Sequence, residues 1–111
     1  MDNATRYRDL VTRLLKDYAA LSRHDPDVEA TAIIDTETDN YQVMIVGWSN
    51  SRRIYGPVLH LRIRNGKIWV EHNGTEMDIG QRLVEAGVPR SDIVLGFQSP
   101  RTREFTEYAV G

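Results

Sequence analysis

The dipeptide Asn65-Gly66 lies between two runs of alternating apolar and polar residues, and it constrains this chain more than any other feature. A two-residue hairpin turn of type I′ needs positive φ at both central positions, and Asn-Gly meets that need at low steric cost. Closing the turn there sets the register of its flanking strands. Strands over residues 53–64 and 67–72 then place Arg64 opposite Lys67, Ile63 opposite Ile68, Arg62 opposite Trp69, Leu61 opposite Val70 and His60 opposite Glu71. Leu61, Ile63, Ile68 and Val70 form an apolar face fit to pack on helices. His60, Arg62, Arg64, Lys67, Trp69 and Glu71 collect on the other.

The segment before this hairpin changes period once. Tyr7, Leu10, Val11, Leu14, Leu15 and Tyr18 recur as one stripe of a 3.6-residue helix, which Asp25-Pro26 stops because the residue before proline is pushed out of the helical region. From Val28 the period is two. Val28, Ala30, Ala32 and Ile34 alternate with polar residues, a turn follows over 36–40, and a second strand runs over 41–48, which predicts an antiparallel pair. Gly47-Trp48 reads as a bulge or strand end with close backbone approach, with Trp48 as an alternative partner anchor.

After the hairpin, Thr75 is the expected N-cap of a helix, with Glu76 in the first turn, Asp78 three residues on, and Ile79, Leu83 and Ala86 pointing inward. Gly87-Val88-Pro89 ends that helix through a left-handed cap and a proline that forbids continuation. Residues 92–97 read as a final strand or a buried crossing. Ser99-Pro100 caps a last helical turn or two reaching Tyr108. No linker, internal repeat or low-complexity tract divides the 111 residues, so a single domain over 1–111 is expected.

That length buries roughly two thirds of the surface its unfolded chain exposes. The absence of cysteine removes disulfides, thiolate zinc sites and thiol nucleophiles together. No apolar run approaches the ~20 residues of a membrane span. The first twenty residues alternate charged with apolar side chains where a signal peptide has an unbroken apolar core, so the expected location is cytoplasmic.

A net charge of −2 conceals a segregation. Residues 51–67 hold Arg52, Arg53, Arg62, Arg64 and Lys67 and no acid, whereas residues 24–50 hold Asp25, Asp27, Glu29, Asp35, Glu37 and Asp39 and no Lys or Arg. Together with His60 and Trp69, the basic residues make the candidate site, where Arg62 is placed to stack on the Trp69 indole. Three readings compete. The first is a solvated face balanced by neighbouring acids, since exposed ion pairs contribute only ~0–1 kcal/mol. The second is a protein interface, because Trp and Arg are enriched at binding hot spots. Nucleic acid is third, because the acidic flanks repel phosphates and reduce the gain from counterion release.

Chemistry has few candidates. The run 35–40 resembles the start of a calcium loop, but Asn40 and Val46 stand where an EF-hand needs glycine and a bidentate glutamate, so a polar β-turn is the reading. His24, His60 and His72 lack ligand spacing, and no nucleophile elbow or phosphate loop is present. The His60–Glu71 pair is read as a cross-strand ion pair, not a catalytic dyad. Catalytic residues, metal ligands and cofactors are therefore all assigned as none.

Several local sequences resemble those of XisI-like proteins, the controlling factors for excision of the fdxN element. They are Gly66-Lys67-Ile68-Trp69, Thr75-Glu76, the run from Leu83 through Ala86 to Gly87-Val88-Pro89, Asp92-Ile93-Val94-Leu95-Gly96-Phe97, and Phe105 to Val110. The resemblance spans residues 41–110, with a weaker fit over the N-terminal helix. It implies an accessory role in excising a DNA element during heterocyst differentiation in cyanobacteria, with cutting and joining left to a separate recombinase. It also implies a XisH-like, nuclease-like companion as partner, and it carries no catalytic residues. Gly66, Lys67, Ile68, Trp69, Thr75, Glu76, Gly87, Val88, Pro89, Asp92, Ile93 and Gly96 are then a fold signature. Two departures stand out. Gln98-Ser99-Pro100 replaces a His followed closely by Pro, so a proton-transfer role there does not extend to this chain. Gly80 stands where relatives commonly carry Ala, at a propensity cost of up to ~1 kcal/mol unless it lies at a close contact.

The expected fold is α+β: an N-terminal helix on a mostly antiparallel meander of four or five strands, with one further helix and a short C-terminal helix packed on one face. The expected function is regulatory binding of a companion protein in an excision system. A direct DNA-binding factor is the alternative, and an enzyme is more distant. Exposed sheet edges also suit a homodimer made by sheet or basic-face contacts.

Overall fold

The computed structural model describes residues 3–21 and 25–111. The predicted stripe forms helix α1 (Asn3–Leu21), which buries Tyr7, Val11, Leu15 and Ala19 on one line. Leu10, Leu14 and Tyr18 pack beside them. Asp25-Pro26 lies beyond the helix, and His24 is outside the described residues.

Four strands follow as a meander: β1 (Val28–Asp35), β2 (Asn40–Ser49), β3 (Arg52–Arg64) and β4 (Lys67–Asn73). A fifth, β5 (Ile93–Leu95), completes a sheet of order β1-β2-β3-β4-β5. The first three pairings are antiparallel and β4–β5 is parallel, as a crossover through an intervening helix requires. Tyr41, Val43, Leu59, Leu61, Ile63, Ile68, Val70 and Ile93 point to the helix side and make the core with α1.

Asn65 and Gly66 have φ of 55° and 74°, as the turn demands. A second tight turn at Asn50-Ser51, φ 49° and 68°, joins β2 to β3. The predicted register holds from Arg64–Lys67 to Leu61–Val70 and then breaks, because a bulge sets His60 opposite His72 and Leu59 opposite Asn73. The expected His60–Glu71 pairing is therefore overturned. Glu71 is the extra residue and bonds Arg62 at 3.2 Å instead. Both Glu71 and His72 are polar, so the alternation gave no sign of the bulge.

Helix α2 (Ile79–Glu85) starts later than predicted. Thr75 is not its cap. The Thr75 backbone and hydroxyl both donate to Asn73 Oδ1, and Thr75 Oγ1 accepts from the Met77 backbone, which closes a turn outside the helix. Asp78 is the N-cap, accepting from the Gln81 N–H at 3.1 Å, so Glu76 also falls outside. Ile79 and Leu83 are buried as expected, whereas Ala86 is the exposed C-cap residue. The stop is as predicted: Gly87 has φ 102°, and its N–H and that of Val88 bond back to Val84 and Leu83 in a Schellman closure.

After a 3-10 turn at Arg90–Asp92, residues 93–95 form β5, and Ser99 caps α3 (Pro100–Arg103) by accepting from the Thr102 N–H. This helix ends at Arg103 instead of reaching Tyr108. The last residues wrap the β5 edge. Ala109 bridges to Val94, Tyr108 packs toward the core, and Arg103 reaches the other side of the sheet to lie over Trp69.

Candidate functional site

Strand alternation sends Asn40, Gln42, Met44, Val46 and Trp48 of β2 to the face opposite α1, together with the β1 and β3 residues paired to them. The predicted basic residues lie on or beside this face, but in two groups. Arg52 and Arg53 sit at one end of β3 and Arg62, Arg64 and Lys67 at the other, on the order of 30 Å away at the rise of an extended strand. They do not form one patch.

At the first end the Arg53 guanidinium lies 5.4 Å from the Trp48 ring centroid and 5.6 Å from that of Tyr55. Trp48 is 55% and Tyr55 69% exposed. Such stacks contribute about 0.5–1 kcal/mol each at exposed sites. Arg52 is exposed at the strand terminus.

At the second end the expected Arg62–Trp69 stack is absent, because Arg62 is held by Glu71. Glu71 folds over Gly96, where a β-carbon would collide with its carboxylate. Arg64 and Arg103 lie over the Trp69 ring instead, 5.3 and 5.2 Å from its centroid. The Trp69 indole N–H donates to the Arg64 carbonyl at 3.3 Å. Arg103 also donates to the carbonyls of Leu95, Gly96, Gln98 and Val110. Lys67 is half-buried beside the turn, opposite Arg64.

His60 is half-buried between the two groups, its Nε2 2.9 Å from Asn40 Oδ1. Burial pushes its imidazole below the usual range, with Arg62 and His72 adding to the shift and Glu71 opposing it. A neutral ring held by an amide suits structure better than proton transfer. Among the described residues no cluster of His, Cys, Asp or Glu could hold a metal ion.

Sequence reasoning missed Tyr55 and Arg103. The Asn50-Ser51 turn was the available signal for Tyr55, since it aligns Trp48 with Arg53 and Tyr55 one row on. Nothing local announced Arg103, which meets Trp69 only through the tertiary path of the C-terminal segment. That segment also exposes Phe97, Phe105 and Val110, at 50%, 83% and 53%.

The fold and this surface define a small α+β domain whose five-stranded mixed sheet packs α1 on one side and, among the described residues, exposes Trp48 and Tyr55 on the other. The chain belongs to the XisI protein family, which matches it over residues 1–110. A XisI-like protein from Anabaena variabilis superposes with a TM-score of 0.93 at 46% identity, over 97% of this chain and 99% of that one. The fdxN element excision controlling factor XisI from Anabaena variabilis superposes with a TM-score of 0.86 at 39% identity, over 99% of this chain and 100% of that one. No curated protein matches the chain. No helix among the described residues is long and apolar enough to cross a membrane.

Proposed function

We propose that this chain is a non-catalytic controlling component of a DNA-element excision system, and that it acts by binding a companion excision factor of the XisH-like type. The binding surface is the margin where the β3–β4 turn meets the C-terminal segment. The observation that carries this reading is the stacking of Arg64 and Arg103 over Trp69, where Arg103 comes from a C-terminal segment that also exposes Phe97 and Phe105. Aromatic side chains beside arginines are the residue types that dominate protein–protein binding energy. An fdxN element excision controlling factor with the same fold at 39% identity supports the setting.

The cations at this margin favour DNA as a second reading. Salt separates the two. Phosphate contacts weaken steeply as salt rises, and an aromatic-centred protein contact responds weakly. The test is a pull-down of the tagged chain from lysate of its own host, split into nuclease-treated and untreated halves. A companion protein retained in both halves, and lost on Phe105→Ala by about tenfold or more as hot-spot truncations are, upholds protein binding. DNA recovered without such a protein, with partners lost on nuclease treatment, replaces it with direct DNA recognition.

A further inference from the structure

The C-terminal segment covers the second face of the sheet only at its β4–β5 side, where Arg103 lies over Trp69 and Ala109 bridges Val94. Over β1–β3 the described residues place no helix on that face. Its rows follow the strand register: Asp35–Asn40–Arg62, Ile33–Gln42–His60, Thr31–Met44–Pro57, Glu29–Val46–Tyr55, then Trp48–Arg53. Met44 and Val46 are half-buried, and Ile33, Trp48 and Tyr55 are 47%, 55% and 69% exposed. Along the middle strand the face passes from the amides Asn40 and Gln42 to the apolar Met44 and Val46 and the aromatic Trp48. The acids lie on β1 and the cations on β3.

We infer that this three-strand face is the contact between two copies of the chain, related by a two-fold axis along β2. Such an axis stacks β1 of one copy over β3 of the other at equal height. Asp35 then faces Arg62 of the second copy. Glu29 faces its Tyr55 row, which the Arg53 guanidinium occupies at 5.6 Å from the ring. Met44 and Val46 meet their own counterparts on the axis, where mutual burial supplies the hydrophobic gain. An in-plane axis across the strands would instead stack β1 on β1 and bring like acids together, so charge selects the first arrangement. The occupant argued from this charge pattern is a second copy, whose own β3 sets Arg53 and the Glu71-paired Arg62 opposite the β1 acids.

Three strands about 4.8 Å apart and ten residues long at about 3.3 Å each give a patch of roughly 15 by 33 Å. That is roughly 500 Å² per copy, in the size class of weak, transient contacts, which fits a concentration-dependent dimer. The margin proposed for the companion factor stays outside this patch, so the two readings stand or fall separately.

The test is analytical ultracentrifugation of the full chain from low-micromolar to several hundred micromolar concentration. The native chain should dimerise, and Met44→Glu should be monomeric with an unchanged circular dichroism spectrum and melting point. Tyr55→Asp, at an exposed residue, gives the same readout if Met44→Glu folds poorly. Glu29→Lys and Arg53→Glu should each weaken the dimer by about tenfold, the order expected when an interfacial charge pair is lost. The two together should restore it to within a few-fold, which a merely structural role for either side chain would not do. A native chain monomeric throughout, a dimer that persists in both Met44→Glu and Tyr55→Asp, or a double reversal without recovery overturns the inference. Binding of the companion factor by Met44→Glu at native strength is the matching control for the separate margin.

Discussion

Gly80 in α2 lies so close to Tyr108 that a β-carbon there would come within 2.7 Å of the phenolic oxygen and 2.8 Å of the adjacent ring carbon. The residue that weakens the helix by propensity is thus the one that lets the C-terminal segment close over it. Gly80→Ala is expected to destabilise the chain by about 1–2 kcal/mol, because displacing Tyr108 outweighs the helix gain. In a Tyr108→Ala background the same substitution should be neutral or stabilising. A double-mutant cycle by urea denaturation reads this directly.

Arg8 grips Asp39 through both carboxylate oxygens, at 2.8 and 3.1 Å, and the Tyr41 hydroxyl donates to the same carboxylate at 2.8 Å. The Arg8 bond, aided by that of Tyr41, holds the Asp39 carboxyl below the usual range. A carboxylate whose folded-state pKa is depressed contributes stability that is present above its unfolded pKa and lost as pH falls through the folded value. Stability should therefore drop as pH falls below about 4, and Asp39→Asn should flatten that drop while lowering stability at neutral pH. Chemical denaturation at a series of pH values measures both.

The opposite sign holds at alkaline pH. Burial and the hydrogen bond to Asp92 push the Tyr7 hydroxyl up to about 12. A raised folded-state pKa on an acid means stability that is present below the unfolded value near 10 and is lost as pH rises through the folded one. Tyr7→Phe should reduce this alkaline loss and cost about 1–2 kcal/mol at neutral pH, since half-buried Asp92 loses its donor. Melting curves between neutral and strongly alkaline pH decide it.

Arg103 donates to the Leu95, Gly96, Gln98 and Val110 carbonyls while lying over Trp69. Arg103→Ala should free the C-terminal segment locally, by about 2–3 kcal/mol given several modest hydrogen bonds and a stack. Amide exchange should accelerate over residues 96–110 and leave β1–β3 unchanged. Arg103→Lys should not rescue it, because a point charge cannot span that set of carbonyls.

Two backbone positions should respond in opposite directions. A β-carbon at Gly47 would collide with the Asp27 backbone carbonyl, and neither backbone is free to yield, so Gly47→Ala should cost about 3 kcal/mol or more. Ser51 holds φ 68° without being glycine, and Ser51→Gly should stabilise the Asn50-Ser51 turn by about 0.5–1.5 kcal/mol. Thermal denaturation of the two variants is sufficient.

Elements whose causes are local were legible before folding was considered. The α1 stripe, the Asn65-Gly66 turn, the Gly87 stop and the Ser99 cap are each set by a few neighbouring residues, through period, φ preference or a side chain reaching its own backbone. The family was legible for the same reason, because its motifs are short and contiguous. Features that depend on distant parts of the chain emerged with the folded arrangement. The bulge at Glu71 goes with an Arg62 that pairs with its carboxylate and a Gly96 that leaves room for it. The helix starts at Asp78 because Asn73 draws Thr75 into a turn. Arg103 replaces Arg62 in the cationic group around Trp69 because the last segment wraps the β5 edge. The candidate site shared that fate: its residue types were readable, but their division into two separate groups was not, since partners far apart in sequence compete for the same charge and only the folded chain settles the competition.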